Sequence, residues 1–307
     1  SLGANKNIII DTTQPSITSI QALTADGFYR AGQTVDIIIS FSEPVTLASG
    51  TLTINLTSGG TVSFTAFVNG TSATGVYTIL NGENTLTLNA TALSLATGTL
   101  LDASGNATPL VLPLTNISPL HSIVIDTINP LIASQALGAA NAFIDITFAE
   151  GVYTNNTGAG SLVASDFNFV FAMNSGTATN VTIASITTTT GGALVGGEAT
   201  YRFNLSVTGI VAGTETITIN PLLTAIFDRA GNPAPITTST GAVTLFDQTS
   251  PFITNVSSLK TNGSYKAGSI IDLQITFSEV VFVTGTPTIK LNNGGAGIDA
   301  SYVSGNG

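Results

Sequence analysis

Three short acidic phrases hold the most chemically capable residues of the chain. The first is Ile39-Ser40-Phe41-Ser42-Glu43-Pro44-Val45, the second Ile146-Thr147-Phe148-Ala149-Glu150-Gly151-Val152, and the third Ile275-Thr276-Phe277-Ser278-Glu279-Val280-Val281. Each carries its glutamate where an alternating apolar run stops. Ahead of each stands Asp-x-x-x-Pro, as Asp11 to Pro15, Asp126 to Pro130 and Asp247 to Pro251. Behind the first two lies Asp-x-x-Gly-Asn, at Asp102 to Asn106 and Asp228 to Asn232. Carboxylate and amide oxygens are hard donors, and Ca²⁺ takes roughly six to eight of them in flexible geometry, whereas Mg²⁺ demands a stricter octahedron. The same residues have a structural reading: an Asp in such a turn bonds its own backbone, and an Asp before Pro holds a bend without any ion.

Other chemistries find less support. His121 is the single histidine, so a His-centred triad or a two-His metal site lacks partners. Paired carboxylates could serve a glycosidase. The acids, however, recur at equivalent places, as scaffold residues do, and an active site is needed only once. Gly191-Gly192 and Gly196-Gly197 are followed by neither Lys-Ser/Thr nor a helical pattern, so no phosphate loop is implied. Tyr29 and Tyr265 recur in one turn and read as packing residues with solvated hydroxyls.

The elements that would position the acids are strands. Apolar residues make up 43% of the chain and charged ones 8%, against roughly 25% in an average soluble protein, so the surface is made of Thr, Ser, Asn and Gly. Thr34 to Phe41 alternates Val35, Ile37, Ile39 and Phe41 against Asp36, Ile38 and Ser40, the period of a half-buried strand. Around it, Ile17–Leu23, Thr51–Leu56, Val62–Phe67, Val76–Ile79 and Thr85–Leu88 read as strands, with Asn69-Gly70 and Asn81-Gly82 as turns; Leu100-Leu101 leads into the Asp102 turn, and one or two final strands reach Ile125. Seven or eight short strands without a helical period fit a Greek-key sandwich. A phrase recurring at intervals beyond about 20 to 50 residues means tandem domains rather than a solenoid.

Four segments are expected. Residues 1–10 read as the last strand of a preceding domain, because Asn7-Ile8-Ile9-Ile10 precedes Asp11 as Ser122 to Ile125 precedes Asp126. Residues 11–125 make one domain and 126–246 an enlarged one, with strands at Ala142–Phe148, Leu162–Met173, Ala178–Thr188, Ala199–Val207 and Thr214–Asn220. Residues 247–307 supply the first half of a further domain, through Thr286–Leu291 and Ala300–Val303. Truncation accounts for that half domain most simply; donation of the opening strand by a second copy is the sharper alternative. Within each domain the chain runs down the first strand and back up the second. Asp11, Glu43, Asp102 and Asn106 should therefore converge at the entry pole, as should Asp126, Glu150, Asp228 and Asn232, with Asp247 and Glu279 beginning a third set.

Net charge and partners follow from composition. Seventeen acidic residues against 7 basic ones give a net charge of -10, and no basic cluster exists, which argues against a nucleic-acid partner. No apolar run approaches the ~18 residues that span a bilayer. Absence of Cys removes disulfides, thiolate metal sites and Cys nucleophiles.

Taken together, the Asp-x-x-x-Pro linkers, the Phe-x-Glu strand ends and the two Asp-x-x-Gly-Asn turns resemble bacterial immunoglobulin-like repeats, the tandem modules of large surface proteins and adhesins. The resemblance covers nearly the whole chain and departs from the pattern at Glu150-Gly151 and in the enlarged middle of the second domain. It implies an all-β rod of immunoglobulin-like Greek-key sandwiches, extracellular and non-enzymatic, spacing a binding region from a cell surface, with Ca²⁺ at the junctions as the candidate cofactor. Its partners would be neighbouring repeats, a host or cell-surface molecule, or further copies of itself. Two other functions stay open: a glycan- or protein-binding module in the second domain, and a subunit of a self-assembling filament or layer.

Overall fold

The computed structural model describes residues 8–292 and 297–305. Strands and their connections account for almost all of it; the helical content is a four-residue turn at Ile117–Leu120 and two 3-10 turns. The fold is all-β with several sheets. No strand of residues 17–125, 132–245 or 253–301 pairs outside its own region among the described residues.

The N-terminal region contains β1 (Ile17–Ala22), β2 (Gly27–Tyr29), β3 (Thr34–Leu47), β4 (Thr51–Leu56), β5 (Thr61–Phe64), β6 (Phe67–Thr78), β7 (Ala90–Ala96), β8 (Leu100–Leu101) and β9 (Ile123–Ile125). One sheet runs β1-β3-β6, with β8 also on β3; a second runs β5-β4-β7; and β9 lies parallel to β2. Alternation decides what is inside. Val35, Ile37 and Ile39 of β3, Leu52 and Ile54 of β4 and Val62 of β5 are all fully buried, so both sheets turn their apolar faces onto one core. Each such side chain contributes about 1.5–3 kcal/mol on leaving water.

The central region contains β10 (Ile132–Leu137), β11 (Phe143–Phe148), β12 (Phe167–Ala172), β13 (Asn180–Thr187), β14 (Thr200–Thr208), β15 (Thr216–Pro221) and β16 (Val243–Thr244). Its sheets, β10-β11-β14-β13 and β12-β15-β16, share a second core around Ile144, Ile146, Tyr201, Phe203, Ile217 and Ile219. On the outer face of the first of these sheets, Arg202 reaches across to Asp145 with two 2.8 Å bonds, Nε to Oδ1 and Nη2 to Oδ2, and lies 3.6 Å over the Phe143 ring. The C-terminal region has two hairpins, β17 (Ile253–Ser258) with β18 (Leu273–Phe277) and β19 (Thr288–Leu291) with β20 (Ile298–Ser301).

The opening hairpin of all three regions is built alike. Ile17 faces Phe41, Ile132 faces Phe148 and Ile253 faces Phe277, and in each case one residue is skipped before pairing resumes at Ser19, Ser134 or Asn255. The proline two residues before each isoleucine lacks the N–H that a ladder needs, so pairing starts just beyond it.

Several expected elements differ. Asn69-Gly70 lies inside β6 rather than in a turn; Asn69 takes a left-handed φ of 51° where the pairing of β3 with β6 shifts register. The shift comes opposite Pro44, which interrupts the 14-residue β3 and leaves room for an irregular partner. Thr85–Leu88 forms only backbone bonds to Ile123 and Ile125, and the strand falls later, at β7. Residues 1–7 lie outside the described residues, and Ile8–Ile10, expected to end a strand, belong to none. The Tyr29 hydroxyl, expected to be solvated, donates to the Ala25 carbonyl at 2.7 Å, and Tyr265 makes the same bond to Thr261.

Candidate metal centre

Each Asp-x-x-x-Pro aspartate first bonds its own linker. Thr13 N–H donates to Asp11 Oδ1 at 2.9 Å, Ile128 N–H to Asp126 Oδ1 at 3.0 Å and Thr249 N–H to Asp247 Oδ1 at 2.8 Å. This Asx bond turns the chain just before the proline and leaves Oδ2 of Asp11 and of Asp126 without a hydrogen bond from the described residues, while the Asp247 carboxylate also meets Glu279.

The Asp-x-x-Gly-Asn turns are wound tightly about their aspartates. Asp102 Oδ1 accepts from Ser104 N and Asn106 N at 2.8 Å, and Asp102 Oδ2 accepts from Asn106 Nδ2 at 2.8 Å. In the central region Asp228 Oδ1 accepts from Gly231 N at 2.7 Å and Asn232 N at 2.8 Å, and Asp228 Oδ2 accepts from Asn232 Nδ2 at 2.7 Å. The glycine takes a φ of 91° in both turns, a conformation in which a side chain is strained. The second hydrogen of each asparagine amide ties the turn to the linker: Asn106 to the Asp11 carbonyl at 3.3 Å, Asn232 to the Asp126 carbonyl at 2.9 Å.

The antiparallel return of β3 and β11 brings the glutamates to these pairs. Carboxylate oxygens of Asp11, Glu43 and Asp102 all lie within 4.8 Å of one another, and so do those of Asp126, Glu150 and Asp228. The expected convergence is therefore present twice. Asn106 and Asn232 enter these clusters as clamps on the aspartates, because their amide N–H groups are spent there. Asp247 and Glu279 also stand side by side, with Glu279 Oε1 buried and without a hydrogen-bond partner. They gather no third acid among the described residues, and no Asp-x-x-Gly-Asn turn follows Glu279 in the chain.

Electrostatics distinguish the two clusters. Neither Glu43 nor Glu150 accepts a hydrogen bond from the described residues, and no described basic side chain pairs with either cluster. At an effective dielectric of ~20, two unit charges about 4.8 Å apart repel by roughly 3 kcal/mol. Glu43 is raised above the ordinary carboxylate range by desolvation and then by Asp11 and Asp102. Glu150 is pushed up to about 7 by burial, with Asp228 and Asp126 adding to it. The Asn106 amide holds Asp102 low, whereas burial raises the fully buried Asp228 despite the Asn232 bonds. The central cluster is thus the more strongly frustrated without a compensating cation.

Asn232→Ala should lower stability by about 1–2 kcal/mol, since it leaves Asp228 and the Asp126 carbonyl short of donors. Asn106→Ala should cost less, its linker bond being longer. Paired thermal melts check the order, and equal losses would count against the clamp.

Two residues outside the expected set matter to this end of the molecule. Arg30 Nη1 donates to the Gly231 carbonyl at 2.9 Å, and Asp126 N–H donates to the Tyr29 carbonyl at 2.9 Å, so the N-terminal region grips the turn and the linker that carry the central acids. Spacing could not have revealed a bond across 201 positions. His121 lies beside Asp26, Nδ1 to Oδ1 at 3.2 Å, and belongs to neither cluster. Comparison with known protein families gives no matching family model, and comparison with curated proteins gives no matching relative.

Proposed function

We propose that this chain is a segment of an extracellular stalk of a bacterial surface protein, made of immunoglobulin-like Greek-key β-sandwich modules over residues 11–125, 126–246 and 247–307 and stiffened by Ca²⁺ at their junctions. One observation carries the proposal. The same joint, a bent Asp linker, a Phe-x-Glu strand end and a clamped aspartate turn, is assembled twice at equivalent places from carboxylates that have no cationic partner among the described residues.

The donor set fits Ca²⁺. Each of the three carboxylates can offer at least one oxygen to a common ion, and water can complete roughly seven or eight positions of flexible geometry, the coordination Ca²⁺ accepts. The residues themselves hold the linker against the turn; an ion would remove their mutual repulsion and lock the joint. An enzymatic reading gains nothing from this geometry, since the acids recur at a repeated joint, as scaffold residues do.

Small-angle scattering in about 5 mM Ca²⁺ and in EDTA tests the reading, a concentration roughly 5 to 50 times the ~10⁻⁴–10⁻³ M affinities of extracellular calcium modules. A longer, narrower particle in Ca²⁺ that becomes shorter and more variable in EDTA is expected. Identical scattering profiles in the two buffers would overturn the calcium joint, and a compact particle in both would overturn the stalk.

A further inference from the structure

The chain has three arginines, Arg30, Arg202 and Arg229. Arg202 is committed to Asp145. The other two meet at one place although 199 positions separate them in sequence, and neither has a carboxylate partner among the described residues. Arg30 serves the Gly231 carbonyl. The Arg229 guanidinium lies 4.2 Å over the Phe28 ring, and its N–H groups make no hydrogen bond to the described residues.

Arg229 is not demanded by the turn it occupies. The equivalent turn of the N-terminal region carries Ala103 at that position and is closed by the same asparagine bonds, from Asn106 N and Nδ2 to Asp102. What surrounds Arg229 is particular to the central region. The segment Asn155-Asn156-Thr157-Gly158, part of its enlarged middle, presses onto the turn so closely that a Cβ on Gly231 would stand 2.4 Å from the Asn156 carbonyl and one on Gly158 2.9 Å from the Arg229 carbonyl. With Gly27, Phe28 and Gln33 opposite, Asn156, Thr157, Gly158 and Arg229 line a half-open cleft of about 390 Å³. That volume lies within the ~300–1,000 Å³ range of small-molecule sites. Gln33 Oε1 accepts from Arg30 N at 2.8 Å, which turns its amide N–H₂ away as a donor, and the Asn156 side chain makes no bond to the described residues.

We propose that this cleft binds a carboxylate-bearing sugar. A guanidinium backed by an aromatic face keeps its planar N–H edge for a carboxylate. In a chain of net charge -10 such an unpaired edge is the natural seat of an anion. The amides of Gln33 and Asn156 suit the hydroxyl groups of a sugar ring, and Thr157 Oγ1, whose proton goes to Asn155 Oδ1 at 2.7 Å, can accept from one; the cleft offers little apolar wall for an aliphatic or aromatic acid. The site needs residues of both regions, so occupation would also hold them together. The cleft shares the Asp228–Asn232 turn with the central acid cluster, but Arg229 and Phe28 are not members of that cluster, so sugar binding is tested separately from calcium.

The test is a calorimetric titration of the whole chain at low ionic strength with D-glucuronate, D-glucose and acetate, in Ca²⁺ and in EDTA. Saturable binding of glucuronate, at least tenfold tighter than of glucose or acetate, is expected. Arg229→Gln should weaken it at least tenfold and Asn156→Ala several-fold, with unchanged melting temperatures showing that both variants fold. Absence of saturable glucuronate binding, binding indifferent to Arg229→Gln, or acetate binding as tightly as glucuronate would each overturn the proposal. Loss of binding in EDTA alone would tie it to the calcium joint and overturn its independence.

Discussion

Replacing Glu215 by Ala should destabilise the central region by about 3 kcal/mol or more, the largest effect of any single polar substitution in the chain. Its side chain is completely buried, yet it meets no cation among the described residues. Its Oε1 accepts from Thr177 N at 2.8 Å and Ala178 N at 2.9 Å, and its Oε2 from Ala212 N at 2.9 Å and Thr214 N at 3.2 Å. Burial alone would raise this carboxyl; the ring of N–H groups, led by Ala178, overturns that and takes it to about 2. Removing the carboxylate leaves those donors dry and unpaired in the two connections that enter β13 and β15. Gly176 is part of the same device, because a Cβ there would stand 2.0 Å from the Glu215 carboxyl carbon. Gly176→Ala should therefore also destabilise, whereas Thr218→Ser, on the outward face of β15, should be nearly neutral. Urea unfolding followed by circular dichroism checks the set; a loss under about 1 kcal/mol for Glu215→Ala would refute the account. Since the folded value lies below the usual 4.5, this contribution is present above about pH 4.5 and is lost as the pH falls toward about 2.

The second large effect is a pH dependence that calcium reverses. Glu150 titrates near 7 when folded and near 4.5 when unfolded, so between these values the folded chain holds a proton that the unfolded chain has released. In EDTA, raising the pH through this window should therefore lower stability, by about 1–2 kcal/mol after allowing for solvent screening. Glu43 contributes in the same direction. Ca²⁺ needs the acids ionised, so in millimolar Ca²⁺ stability should instead rise with pH, and at ~20-fold excess over the dissociation constant each site adds about 1.8 kcal/mol. Melting curves at pH 5 and pH 7.5, with Ca²⁺ and with EDTA, give the four values needed. Glu150→Gln should flatten both trends; a variant that keeps the wild-type slopes would remove Glu150 from the explanation.

Much of the acid geometry was legible because it rests on local rules. Pro15, Pro130 and Pro251 mark where β1, β10 and β17 begin, alternation sets the inward face of β3, and an antiparallel return brings Glu43 and Glu150 back to the linkers. Glu215 was invisible for the opposite reason. Thr214-Glu215-Thr216 looks like an ordinary exposed step of a strand, and its meaning lies in N–H groups contributed by connections some 40 residues upstream. Asn69-Gly70 misled because a strong local turn signal yielded to the length of β3, on which β6 could continue pairing. β7 escaped notice because Ala90, Ala92 and Ala96 give little contrast to the alternation of Leu93 and Leu95. Arg30 and Arg229 are sequence-distant residues whose relation exists only once the two regions are side by side.

The parallel pairing at the exit of the N-terminal region has a mechanical corollary. β9 lies alongside β2 with Gly27, Phe28 and Tyr29 opposite Ile123, Val124 and Ile125, and Ile20 N–H bonds the Thr115 carbonyl in the same sense. Tension applied between the entry strand and the exit strand would pull these neighbours past one another lengthwise. Their bonds would share the load and break together instead of opening one after another like a zip, so the region is braced in the direction in which a tether is pulled.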